Sequence, residues 1–253
     1  MGIRRFCFHH LTGVFCAQSG QDRHPGRRAH RNGPRAAGHA HSHPVRQPTA
    51  AFDLTNEVHF SVDKPPFSLS SGKVTAANQK TYDMADPQDR QRMMDDNLVY
   101  WIDRQRARIL EVDPTALVTV SFPAINAGQT TVNPRSAILD STADFVDLHS
   151  YLGWGLSLEQ YMHRFGVDGP ARKPLILGEF GAAKRAYLTA ARAAQELQAW
   201  QAASCAYGFD GWLLWTWDTD EQAELWNGLS EDGEISAALA PKRHPDPCLP
   251  EGL

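Results

Sequence analysis

From Ala51 onward, short apolar runs alternate with longer stretches in which apolar residues recur every three or four positions. The runs are AFDLTNE (Ala51 to Glu57), ALVTVSF (Ala116 to Phe122), DFVDLHSY (Asp144 to Tyr151), KPLILGEFG (Lys173 to Gly181) and GWLLWTWD (Gly211 to Asp218). Brief continuous runs bounded by glycine or proline suit strands buried on both faces, as in a parallel sheet. After a polar loop, Asp86-Pro87 supplies an N-cap and a first-turn proline, and Asp89 complements the helix dipole. Met94, Leu98, Trp101, Ile102, Ile109 and Leu110 then form one apolar stripe, predicting a long helix that ends near Asp113-Pro114. A helical turn is predicted near Ser136 to Leu139. Ser157 to Gln160 reads as a capping box opening a short helix that stops at Gly166, and Thr189 to Tyr207 as a helix stopped by Gly208. A polar, proline-rich tail follows. Strands alternating with helices predict an α/β fold with about five parallel strands and crossover helices.

Charge separates the first fifty residues from the rest. The chain's net charge is -4, yet residues 1–50 carry eight arginines against one acid, Asp22, leaving -11 on residues 51–253. Gln21 to Ala50 is arginine, histidine, glycine, proline and alanine without periodicity, and cannot bury enough apolar surface to offset its ordering entropy. Residues 1–50 are therefore expected to be a basic segment that is disordered or unrelated to the fold that follows. His9 and His10 interrupt the apolar start, which argues against a signal peptide and leaves the compartment open. HAHSH (His39 to His43) has no acidic or cysteine partner and reads as a solvated tract rather than a metal site. The basic segment lacks interleaved aromatics or a DNA-binding motif, so no nucleic-acid partner is expected. No run approaches the roughly 18 apolar residues of a membrane span. Cys7, Cys16, Cys205 and Cys248 fall in no metal-ligand spacing.

Chemistry-bearing residues gather at the ends of the runs: Asn56 and Glu57, His149 and Tyr151, Glu179, Trp215 and Trp217. In parallel α/β folds the carboxyl ends of strands hold the site. Two carboxylates on separate strands suit glycosidic hydrolysis, one protonating the leaving oxygen and the other attacking the anomeric carbon. Packing is the simpler reading for Trp212 and Trp217.

FDLTNE, DLHSY, GEFG and GWLLWTWD, in that order, resemble strands four, six, seven and eight of family 5 glycoside hydrolases, the cellulase and mannanase group of the retaining (β/α)₈ clan. The resemblance covers residues 51 to about 240. It implies Glu57 as acid/base, Glu179 as nucleophile, Asn56 on the sugar 2-hydroxyl, and Tyr151 bonded to the nucleophile. It also implies His149 in the strand-six pair and Trp215 as a sugar platform. The implied partner is a β-linked oligo- or polysaccharide, with no metal or organic cofactor. Val58 follows Glu57 where the family usually has proline. Strands one to three, with their arginine and histidine, have no counterpart, so residues 51–253 are expected to form the C-terminal part of a TIM (β/α)₈ barrel, a partial barrel. Two other readings stay open. One is a truncated, inactive fragment that binds sugar weakly and self-associates through the open edge at Ala51 to Glu57. The other is a metal-dependent barrel enzyme using Glu57, His149, Glu179 and Asp218.

Overall fold

The computed structural model describes residues 51–123, 135–218 and 222–249, with the backbone of 131–132 and of the pairs Arg4–Arg5, His9–His10 and Gly13–Val14. Most of residues 1–50, including HAHSH, lie outside the described residues.

The sheet follows the order of the chain. Strand β1 (Phe52–Asp53) is parallel to β2 (Val118–Thr119), pairing Phe52 with Val118 and Asp53 with Thr119. After Val120 the same line of chain continues as β3 (Ser121–Phe122), parallel to β4 (Val146–Leu152). Strand β4 is parallel to β5 (Leu175–Ala182), and β5 to β6 (Phe209–Leu214). Five strand lines thus lie side by side in sequence order, as the apolar runs predict. The expectation of an open edge meets one modification: Arg4–Arg5 runs antiparallel along β1, against Phe52 and Asp53.

Helix α1 (Pro87–Leu110) crosses from β1 to β2, with the Asp86 carboxylate accepting from the Gln88 N–H at its start. Met93, Met94, Leu98 and Ile102 are its buried apolar face. Helix α2 (Leu158–Phe165) begins with the expected capping box, Ser157 with Gln160, and ends at Gly166 at φ 87°. Helix α3 (Ala190–Ser204) is capped by Thr189 and closes through a 3₁₀ turn at Cys205–Tyr207 and left-handed Gly208. Among the described residues no helix is long and apolar enough to cross a membrane.

Three expectations need correction. The tail is not merely polar: α4 (Ser230–Leu239) buries Ile235, and Gln198 of α3 donates to the Ala238 carbonyl at 2.9 Å. Glu231, Asp232 and Gly233 have positive φ, which breaks the helical period and hides this element from a periodicity reading. Cys205 and Cys248 form a disulfide that ties the tail to the end of α3. The first and last strands are shorter than their runs, so Glu57 lies in a turn beyond β1, and Trp215 and Trp217 lie beyond β6.

Candidate functional site

Strands β4 and β5 supply most of the site, and a bulge aligns them. Their register runs Leu148 with Leu177 and then His149 with Glu179, so Gly178 is an extra residue on β5. Alternation along β4 puts Asp147, His149 and Tyr151 on one face. Gly178 must lack a side chain, because a Cβ there would stand 1.9 Å from Asp147 Oδ1. The buried Asp147 carboxyl therefore fills the space the glycine leaves.

Glu57 arrives from the far side of the sheet. Its φ of 53° is uncommon for a side-chain-bearing residue. Three contacts hold it there. Its N–H donates to Ser121 Oγ at 3.1 Å, its carbonyl accepts from His59 Nδ1 at 2.8 Å, and its carboxylate accepts from His149. The Ser121 hydroxyl in turn donates to Asp53 Oδ2 at 2.9 Å. The chain of bonds from Asp53 through Ser121 thus fixes the turn that carries Glu57.

His149 joins the two halves. Its Nδ1 lies 3.1 Å from Glu57 Oε1 and 3.2 Å from Glu179 Oε2, while Nε2 lies 3.9 Å from Asp147 Oδ2. Tyr151 donates its hydroxyl to the same Glu179 Oε2. Burial opposes a charge on His149, but Asp147, Glu179 and Glu57 together outweigh it and hold the pKa well above 6.5. The imidazolium hydrogen bond lowers the pKa of Glu57, outweighing its partial burial. Burial and the neighbouring Glu179 charge push Tyr151 upward, so it stays a phenol and a donor. Burial, then the Asp147 charge, raises Asp53 to about 7. Burial likewise raises Asp147.

Of the six expected site residues, Glu57, Glu179, His149 and Tyr151 come together directly. Trp215 packs against Tyr151 with Ala183 and Leu225, and its Nε1 donates to Gln222 Oε1 at 2.8 Å. A Cβ at Gly181 would stand 2.7 Å from the Trp215 carbonyl, so that glycine admits the tryptophan backbone. Asn56 is half-buried, and its Oδ1 is buried without a hydrogen-bond partner. Trp217 is 58% exposed rather than packed, whereas Trp212 is anchored by its Nε1–H to Ser204 Oγ at 2.9 Å. Phe122, at the end of its run, is core, tilted against Phe165. Sequence reasoning passed over Asp147 and Ser121; the strand alternation that selects His149 and Tyr151 also selects Asp147.

Glu57, His149 and Glu179 each offer a ligand atom within 4.8 Å of the others, so their spacing fits one metal ion. The protonated imidazole is not a ligand, and a metal would have to displace that proton. Asp218 is exposed and outside the cluster.

No protein-family model matches the chain, and no curated protein does. Two solved structures are similar to part of it. One is the endo-β-1,4-mannanase from Thermotoga petrophila, at 19% identity and a TM-score of 0.35, over 57% of this chain and 39% of that one. The other is the hyperthermostable endo-1,4-β-D-mannanase from Thermotoga petrophila RKU-1 with maltose and glycerol. It matches at 19% identity and a TM-score of 0.36, over 57% of this chain and 51% of that one. A likeness that distant assigns neither substrate nor residue roles.

Proposed function

We propose that this chain binds a β-linked glycan or glycoside at a carboxylate-pair site of the retaining glycoside hydrolase kind, and that the site as it stands binds without efficient cleavage. The observation that carries the reading is the shared partner of the two carboxylates, His149 Nδ1, 3.1 Å from Glu57 and 3.2 Å from Glu179. Carboxylates accept from sugar hydroxyls, the Asn56 amide adds a donor and an acceptor, and the Trp215 indole offers a flat apolar face. Cleavage needs more. The group beside the leaving oxygen must hold a proton near neutral pH, which requires a raised pKa. Glu57 has a lowered one, caused by the imidazolium.

The second reading is retaining hydrolysis by double displacement, with Glu57 as acid/base and Glu179 as nucleophile held by Tyr151. Carboxylate spacing favours it: one oxygen of each lies within 4.8 Å of the other, closer to the roughly 5–5.5 Å of retaining carboxyl pairs than to the roughly 6.5–9.5 Å of inverting ones. It requires bound substrate to draw Glu57 away from His149, so that burial can raise its pKa.

The test is calorimetric binding of methyl β-glucoside and β-mannoside, run beside turnover of aryl β-glucosides, β-mannosides and cellobiosides, with Glu179→Ala as control. Binding without turnover supports the first reading. Turnover that vanishes in the variant establishes the second. A folded chain that neither binds nor cleaves refutes both.

A further inference from the structure

Glu57 also lines a cavity of about 580 Å³, whose wall includes neither His149 nor Glu179. That volume is within the range of small-molecule pockets, about 300–1,000 Å³. Its wall is chiefly apolar: Met93, Met94, Leu98 and Trp101 from α1, with Val58 and Phe67 from the segment after β1. Its polar lining is Thr55, Asn56, Glu57, His59 and Asn97. Asn97, also at the wall, is already committed, donating to the Met93 carbonyl and accepting from the Asn78 N–H. Asn56 Oδ1 is different, being buried and unpartnered.

We infer that this cavity receives the apolar aglycone of a β-glycoside, so that the ligand class is an aryl or alkyl β-glycoside rather than a purely sugar chain. The inference rests on the carbohydrate reading of the Glu57–Glu179 site and deepens it. Glu57 is shared between the two, its carboxylate bonded to His149 while the residue also lines the cavity. A group that stands between two carboxylates with its sugar ring places the substituent on its glycosidic oxygen beside the acid partner. Beside Glu57 that substituent meets methionine, leucine and tryptophan, and few partners for a second sugar's hydroxyls. Glu57 and His59 are the titratable side chains of the wall, so an ionised carboxylate also discriminates against anionic aglycones.

The experiment compares calorimetric affinities of 2-naphthyl and methyl 1-thio-β-glucosides, and of the same pair of β-mannosides, all resistant to cleavage. The naphthyl member of the preferred pair should bind about tenfold or more tighter, from apolar burial alone. Ala76→Trp, which fills the cavity from a half-exposed position, should abolish that advantage and leave the methyl glycoside's affinity unchanged. Val74→Trp is the second filling variant, should the first fail to fold. Equal affinity for naphthyl and methyl glycosides overturns the pocket while leaving the sugar site standing. An advantage untouched in the folded variants also overturns it. Binding of neither glycoside overturns the pocket and the sugar site together.

Discussion

The two carboxylates stand on very different foundations. Glu179 lies within an eight-residue strand whose every residue is buried, paired with β4 on one side and β6 on the other. Glu57 lies four residues past a two-residue strand, in a turn with positive φ, beside a cavity. One half is preorganised by a strand paired along both its edges; the other depends on Ser121, Asp53 and His149 for its position. Binding tolerates such asymmetry, whereas acid catalysis requires both the place and the proton of Glu57 to be set. The contrast is the physical ground for the proposal that this site holds a sugar more readily than it cleaves one.

The strongest way to break this contrast is to damage the well-built half. Gly178→Ala would drive a Cβ into the Asp147 carboxyl, in a strand with no room to move. It should cost about 3 kcal/mol or more, read as a fall in denaturation midpoint. A smaller loss is expected from Cys248→Ser, which frees the tail from α3. A disulfide closing a separation of 43 residues contributes about 2–4 kcal/mol. Reductant should reproduce the loss in the native chain and have no effect on the variant.

The half that carries Glu57 has a pH signature. Asp53 has its folded pKa raised from 3.8 to about 7, so the folded state holds its proton more tightly than the unfolded state. The stability this confers is fully present below about 4 and is lost as pH rises toward 7. Asp53→Asn keeps an acceptor for Ser121 and should flatten that slope, a change of roughly 2–4 kcal/mol in urea titrations between the two limits. The smallest effect belongs to the hairpin of Lys73–Thr75 and Thr81–Asp83, which Gly72 precedes. A Cβ added at Gly72, where φ is 94°, would meet nothing within 4 Å, so Gly72→Ala should cost only about 1 kcal/mol of backbone strain. A Gly72→Ala loss as large as that of Gly178→Ala would erase the distinction between the two regions.

What was legible in the sequence follows the same line. LILGEF is a continuous apolar run broken only by Glu179, FVDLHSY carries Asp147 and His149 at alternate places, and the structure forms β5 and β4 there. Asp86-Pro87, Ser157 to Gln160 and Gly208 mark helix ends through local capping chemistry, which short stretches of sequence encode. The rest depends on contacts distant in sequence. Nothing near Gly178 announces that a carboxyl from residue 147 will occupy its missing side chain. Likewise the run Ala51 to Glu57 looks like one strand, but after Asp53 the segment with Thr55 and Glu57 is held out of the sheet by Ser121, more than sixty positions later. The disulfide joins cysteines whose spacing carries no signature. Helix α4 leaves no periodic trace because its first residues have positive φ.

The most direct measurement is the titration of the Glu57 side-chain carboxyl by carbon-detected NMR in the unliganded chain, with Glu57→Gln to assign the signal. The account predicts a midpoint below the ordinary 4.5, because the His149 imidazolium stabilises the ionised form. In His149→Asn the midpoint should rise. A midpoint near neutrality in the native chain would mean that Glu57 holds the proton a general acid needs, and would contradict the claim that this site binds without efficient cleavage.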